Sequence, residues 1–301
     1  MKKFLAVLAV MTLLVGCSKV SVRTDQQYDE FKQPNHIVSV DYLIENKEEV
    51  IILDARGTDA HAKGHIPNAL PVAWQMMSDM NHSLGEQGWG NILDAKALSE
   101  VIANLGITKD SEVIVYADTL NGWGEDGRIV WTLTQAGIDA KMLDGGFNAW
   151  SVNGHEVSKE EVTTTKSDFT LESLNKDNSI LTAELKDNYD NYVVIDTRDI
   201  KEYEGAQKYG EARGGHLPNA IHVDFKQFLK ADGTLESAET IEAVLSEAGI
   251  KKSDKLVTYC TAGIRSGHEQ VILSMLGYDA KNYEDGFYYW AALEGTEIVE
   301  K

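Results

Sequence analysis

The residue with the clearest chemical potential in this chain of 301 amino acids is Cys260, in the stretch Lys255-Leu-Val-Thr-Tyr-Cys-Thr-Ala-Gly-Ile-Arg-Ser266. Leu256 to Tyr259 are β-formers and Gly263 permits a tight turn. A helical pattern then starts near Arg265, with Val271, Ile272, Met275 and Leu276 on one face. The thiol is therefore expected where a buried strand ends and a helix begins. There the N–H groups of Thr261, Ala262, Gly263, Ile264 and Arg265 can converge on the sulfur, and the helix dipole adds partial positive charge. Surroundings of that kind lower a thiol pKa from about 8.5 to roughly 3.5–7.5 and produce a nucleophilic thiolate. A cysteine without them is a small, inert hydrophobe. The glycine, the arginine and the strand-to-helix context set Cys260 apart from that bland case.

The elements that must position this thiol come in two copies. Ile52-Leu-Asp-Ala-Arg56 recurs as Ile195-Asp-Thr-Arg198, and Gly64-His-Ile-Pro-Asn-Ala69 recurs as Gly215-His-Leu-Pro-Asn-Ala220. Val113 to Asp118 matches Leu256 to Cys260 apart from one extra residue, and Gly146-Phe147 and Trp150 match Gly286-Phe287 and Trp290. The separation of Asp54 from Asp118 equals that of Asp196 from Cys260, at 64 residues each. This spacing puts Asp118 in the place of the cysteine. Such self-similarity marks a duplicated unit. Between Asp196 and His216 the second half carries an insertion that includes Arg213, and the first half has a longer segment from Trp74 to Asp94 with Met76, Met77 and Trp89. These insertions either meet across a cleft between the halves or are ordinary surface loops.

Buried strands are expected near Val50–Asp54, Val113–Ala117, Tyr192–Asp196 and Leu256–Tyr259. Helices are expected near Ala95–Leu105, Gly127–Ala136, Thr240–Ala248 and Arg265–Leu276. Strands alternating with helices imply a mainly parallel sheet flanked by helices in each half, an α/β fold. Residues 160–178 lack helical periodicity and read as a connection packed along the surface.

Composition narrows the function classes. A net charge of −20 argues against nucleic-acid partners. The only cysteines are Cys17 and Cys260, and no Cys/His cluster has metal spacing, so neither a metal nor another cofactor is expected. Lys2 and Lys3 precede an apolar run from Phe4 to Val15 that is too short to span a membrane as an ordinary helix. Leu14-Val-Gly-Cys17 resembles a bacterial lipobox. It predicts cleavage before a lipidated Cys17, with the lipid as the only membrane contact, and an extracytoplasmic protein held at the periplasmic face. Ser18 is compatible with outer-membrane sorting. Residues 1–17 are then a leader with its lipobox cysteine and 18–36 a polar tether. The remainder divides into a first domain at 37–157, a linker at 158–178 and a catalytic domain at 179–301, with a monomer expected.

Taken together, the paired Asp-x-Arg strand ends, the paired Gly-His-(Ile/Leu)-Pro-Asn-Ala segments and the Cys260 loop resemble the tandem-domain rhodanese family. That family includes the thiosulfate and 3-mercaptopyruvate sulfurtransferases. The resemblance covers roughly Ile37 to Glu300 and implies two tandem rhodanese-like domains, with the cysteine in the second only. It further implies that Cys260 takes a sulfane sulfur from a small anionic donor as a persulfide and passes it to a thiol, cyanide or a redox protein. Arg198 matches the family position proposed to bind the donor's anionic end. Arg265 closes the loop, either as a second donor contact or as a helix-start residue tied to a carboxylate such as Asp196. Arg213 is a further donor-binding candidate with a solvated alternative. Asp54 and Asp196, like His65 and His216, occur in both halves and so read as structural. Related dual-specificity phosphatases place an arginine six residues after the cysteine; here position 266 is Ser, which speaks against a phosphate cradle. The loop is nearer the thiosulfate type than the mercaptopyruvate type, although Thr261 stands where many thiosulfate-type loops have Arg. The alternative of another class is a sulfur-carrying, redox-sensing or partner-binding module without turnover.

Overall fold

The structure is a computed structural model that describes residues 28–300. The leader, Cys17 and the first part of the tether lie outside the described residues. The first half is built on strands β1 (Ile37–Val38), β2 (Ile51–Asp54), β3 (Leu70–Pro71), β4 (Glu112–Tyr116) and β5 (Asp139–Leu143). Its helices are α1 (Val40–Asn46), α2 (Thr58–Lys63), α3 (Ala95–Asn104), α4 (Glu125–Gln135) and α5 (Gly146–Val152). The second half repeats the plan with strands β6 (Ser179–Ile180), β7 (Val193–Asp196), β8 (Ile221–His222), β9 (Lys255–Tyr259) and β10 (Asp279–Tyr283). Helices α6 (Thr182–Asp187), α7 (Ile200–Tyr203), α8 (Ala238–Glu247), α9 (Ile264–Met275) and α10 (Gly286–Ala292) flank them.

Each sheet is parallel throughout, in the order β1-β5-β4-β2-β3 and β6-β10-β9-β7-β8. The duplication read from sequence is thus a duplication of topology. The central strands are mostly apolar and buried beyond their first residue, as strands covered on both faces are. Where helix ends differ from the sequence expectation, capping explains the shift. Ser237 Oγ accepts from the Thr240 N–H at 3.1 Å, so α8 starts at Ala238 and not at Thr240. Strands β5 and β10 were not expected, because Asp139, Lys141, Asp279 and Lys281 interrupt their apolar pattern.

The two halves share one core. Buried side chains of both sit in a single apolar cluster, Ile129, Val130 and Trp131 of α4 among them with Val271, Ile272 and Leu273 of α9. Helices α4 and α9 pack at very short range: a Cβ on Gly127 would lie 2.5 Å from the His268 Cα. The connecting segment is fastened along this surface. Ser167 and Leu171 donate backbone N–H groups to Ala103 O and Ser99 Oγ at 2.9 and 2.8 Å, and Phe169 is buried.

Candidate functional site

Cys260 is the residue immediately after β9, and Gly263 leads into α9 with φ 75°, a left-handed conformation that glycine adopts at little cost. The loop is held by its carbonyls. Those of Cys260 and Thr261 accept from the N–H groups of Phe287 (2.9 Å) and Tyr288 (3.1 Å). That of Gly263 accepts from Arg128 Nη1 (2.9 Å) and Asn282 Nδ2 (3.1 Å). With the carbonyls engaged on one side, the N–H groups of Ala262 and Ser266 serve the sulfur, while the Ser266 hydroxyl beside it donates to Asn282 Oδ1 at 2.7 Å. Burial pushes the Cys260 thiol up. The charge of Arg265 and those Ser266 and Ala262 donors outweigh it, and the pKa lies below the usual thiol value. Glu269, also on α9, is driven the other way. Burial, then Asp224, Asp196 and Cys260, raise its carboxyl well above the ordinary range.

Arg265 is tied to a carboxylate, but to one the sequence did not suggest. Its Nη1 and Nη2 donate to Glu202 Oε2 (2.6 Å) and Oε1 (2.9 Å), and Thr261 Oγ1 joins the pair at 2.8 Å from Nη2 and 3.0 Å from Oε1. Glu202 comes from α7, the counterpart of α2 that precedes the insertion of the second half, and has no exposed surface. Asp196 is engaged elsewhere.

Arg198, the residue matched to donor binding, sits in a buried structural network. It is fully buried: Nε and Nη2 hold Asp196 at 2.9 and 2.6 Å, Nη2 also donates to Gly215 O at 2.7 Å, and the guanidinium lies 4.1 Å from the Phe287 ring centroid. Arg56 makes the same set in the half without a cysteine, to Asp54 (2.9 and 2.7 Å), Gly64 O (2.7 Å) and Phe147 (3.6 Å). Only Nη1 of Arg198 has no partner, and the whole side chain is covered. The repeated Asp-x-Arg and Gly-His-(Ile/Leu)-Pro segments are a structural lock, completed where Tyr116 and Tyr259 hydroxyls accept from Ile66 and Leu217 N–H at 3.1 Å. Arg213 is likewise structural. It donates to the carbonyls of Ala291, Thr296, Trp290 and Leu293 at 2.7–3.1 Å and so closes the end of α10.

The position opposite the cysteine also shifts. Tyr116 pairs with Asp54 as Tyr259 pairs with Asp196, and Ala117 O accepts from Phe147 N as Cys260 O accepts from Phe287 N. Ala117, not Asp118, is therefore the counterpart of Cys260. From Ala117 the first-half loop runs to the left-handed Gly124, four residues longer than the path from Cys260 to Gly263.

That longer loop carries Trp123 to the thiol. A cavity of about 170 Å³ opens over Cys260, walled by Trp74, Trp89 and Trp123 of the first half and Tyr209 and Tyr288 of the second. Perpendicular ring pairs form its corners: Trp89 with Tyr288 at 5.3 Å and Trp123 with Tyr209 at 5.7 Å. The two insertions do meet, since a Cβ on Gly210 would lie 3.6 Å from Leu84. Thr261, Ala262, Ile264 and Arg265 complete the floor. Arg128, buried on α4, reaches the loop from behind and donates also to Gly90 O at 2.8 Å; burial lowers its pKa to about 10. No group of three His, Cys, Asp or Glu able to hold a metal occurs among the described residues.

Comparison with known proteins agrees with this geometry. A thiosulfate sulfurtransferase of Corynebacterium glutamicum is 24% identical over 288 residues, spanning 87% of this chain and 90% of that protein. The sulfur carrier protein TtuD of Thermus thermophilus is 25% identical over 288 residues, spanning 90% and 98%. Among solved structures, the anaerobic ergothioneine biosynthesis enzyme of Chlorobium limicola in complex with trimethyl histidine superposes with a TM-score of 0.79. It shares 19% identity over 90% of this chain and 71% of that one, a likeness of fold. The Rhodanese-like domain model, whose known role fits sulfur transfer, matches twice, at residues 39–153 and 181–293. With two copies of that domain accounting for both sheets and for the loop that holds Cys260, the chain belongs to the rhodanese family as a tandem-domain member.

Proposed function

We propose that this protein is a sulfurtransferase in which Cys260 carries the sulfur, with thiosulfate as donor and cyanide or a thiol as acceptor. The observation that carries the reading is the lowered thiol of Cys260 at the floor of a cleft, ringed by loop amides at the start of α9. The thiolate attacks the outer sulfur of thiosulfate; a new S–S bond forms to Cys260, the donor's S–S bond breaks, and sulfite leaves with the electron pair. An acceptor nucleophile then attacks the terminal sulfur and returns Cys260 as thiolate, a two-step exchange with ping-pong kinetics. The loop amides and helix dipole stabilise the persulfide anion. The name of the Corynebacterium relative supports thiosulfate. Arg265 has its charge balanced by Glu202, so the donor is held chiefly by the amides and loading is the weakly bound half of the cycle.

A second reading, sulfur carriage without turnover, draws on the carrier name of the Thermus relative and on the burial of Cys260, which is 1% exposed. We also propose that the chain works outside the cytoplasm, tethered by a lipid on Cys17. The test of function is thiosulfate:cyanide sulfurtransferase activity of the purified chain, with Cys260→Ala as control and 3-mercaptopyruvate run in parallel. Turnover with thiosulfate that the variant lacks is expected. Turnover with mercaptopyruvate alone would overturn the donor. A stoichiometric added sulfur on Cys260 without turnover would favour the carrier, and no added sulfur by intact mass would end both readings.

A further inference from the structure

We infer that the aromatic cleft over Cys260 binds a small organic cation, a methylated ammonium group carried by the sulfur acceptor. The inference rests on the sulfurtransferase reading for the acceptor role, and on the cleft alone for the ligand class. Five aromatic side chains wall the cavity, and they come from separate segments of both halves. Aromatic faces attract cations through their quadrupoles, and a box of such rings suits a methylated ammonium ion, which is charged yet sheds its weak hydration easily.

The local charge has the same sign preference. The only cation on the cavity wall is Arg265, and both of its terminal nitrogens are spent on Glu202. Behind the Tyr209 wall lies Glu211, 4% exposed, whose Oε2 accepts from the Tyr209 N–H at 2.8 Å and whose Oε1 has no partner. No basic side chain is paired with it among the described residues. The phenol of Tyr288 reports the resulting field: its pKa is raised by burial first, then by Glu211, Cys260 and Glu202, with only Arg265 opposing. Three anions thus stand against one cation at this wall. Arg128 supplies positive charge only from behind the loop, where Glu284 offsets it. A persulfide on Cys260 keeps the floor anionic in the half-reaction that meets the acceptor, and a chain of net charge −20 draws cations from a distance.

The test compares choline with 3,3-dimethylbutan-1-ol, its uncharged carbon isostere, by calorimetric titration of the purified chain, with thiosulfate as the anionic control. Choline is expected to bind at least about tenfold more tightly than the isostere. It is also expected to protect Cys260 from iodoacetamide, and to lose that advantage in Trp123→Leu and in Glu211→Gln. Trp123 is 45% exposed at a loop tip, so its replacement leaves the fold intact. Equal binding of choline and the isostere would make the cleft a plain apolar slot, and tighter binding of thiosulfate than of choline would make it an anion site; either result overturns the inference. Intact mass after thiosulfate treatment separates the two claims. Choline selectivity without sulfur on Cys260 would sink the sulfurtransferase reading and leave the ligand class standing. Sulfur on Cys260 without choline selectivity would do the reverse.

Discussion

The pair Arg265–Glu202 does two jobs that a mutant cycle can separate. Both side chains are buried, at 6% and 0% exposure, and three hydrogen bonds at 2.6–3.0 Å join Glu202 to Arg265 and to Thr261. Arg265→Met keeps the bulk of the stem and strands an ionised Glu202 with only the Thr261 hydroxyl. Removal of one partner from a buried pair costs roughly 3–5 kcal/mol, whereas replacing both by apolar groups is close to neutral. Arg265→Met should therefore lower the denaturation midpoint steeply, and Arg265→Met/Glu202→Met should restore most of it. The thiol behaves differently. Arg265 supplies the leading downward influence on Cys260, opposed by burial. A charge worth about 1.4 kcal/mol to the thiolate changes its population about tenfold. Iodoacetamide alkylation at pH 7 should accordingly slow about tenfold or more in both Arg265→Met and the double variant. In Glu202→Gln, where the cation is freed from its counter-charge, alkylation should hold or quicken. The assays are guanidinium unfolding and a pH profile of alkylation. Recovery of thiol reactivity in the double variant, or an unchanged profile in Arg265→Met, would refute the electrostatic role.

Arg213→Ala should cost roughly 1–3 kcal/mol by releasing the α10 carbonyls, while the KM for the sulfur donor stays at the wild-type value in the folded fraction. A raised KM would return Arg213 to the donor site. Asp126 on α4 is buried, with Oδ1 accepting from Gly127 N at 2.8 Å, and burial holds its carboxyl up at about 6, above the ordinary 3.8. The favourable contribution of its protonated form is complete below pH about 4 and lost as pH rises through 6, at a cost of about 3 kcal/mol. Asp126→Asn stays neutral, so it should raise the urea midpoint at pH 8 and leave it nearly unchanged at pH 4; an equal effect at both pH values would show that ionisation is not the cause.

The Cys260 loop was legible because one glycine and a change from strand to helix periodicity suffice to specify the turn. The duplication was equally legible, and it correctly marked Asp54, Asp196, His65 and His216 as occurring in both halves. The same logic, applied to Arg198, would have found Arg56 in the matching place and predicted the buried lock; family resemblance pointed the other way. Glu202 left no trace in the sequence. It lies 63 residues from Arg265, and an ion pair between a four-residue helix and the Cys260 loop has no local periodicity to announce it. The aromatic wall was half visible: the two insertions were candidates for a cleft, with Trp89 among them. Trp123 was hidden by the one-residue misplacement of Asp118, because that alignment concealed the longer loop of the first half.

That longer loop bears on why a half without a cysteine persists in the chain. In the second half the short path from Cys260 to Gly263 curls amides around a sulfur. In the first, Ala117 removes the nucleophile, and the residues between Asp118 and Gly124 instead extend as a lip whose Trp123 meets Tyr209 across the cleft. Helix α4, which follows, carries Arg128 to the Gly263 carbonyl of the partner loop. The duplicated strand-loop-helix unit therefore serves the same thiol from both sides, once as cradle and once as wall and brace. Since α4 and α9 pack with no room for even a Cβ on Gly127, the two units cannot move apart without breaking the brace. The cavity over Cys260 is thus shaped by both halves, and on the proposed sulfurtransferase reading exchange of the 118–124 loop is the change expected to alter acceptor choice while leaving the loading of Cys260 in place.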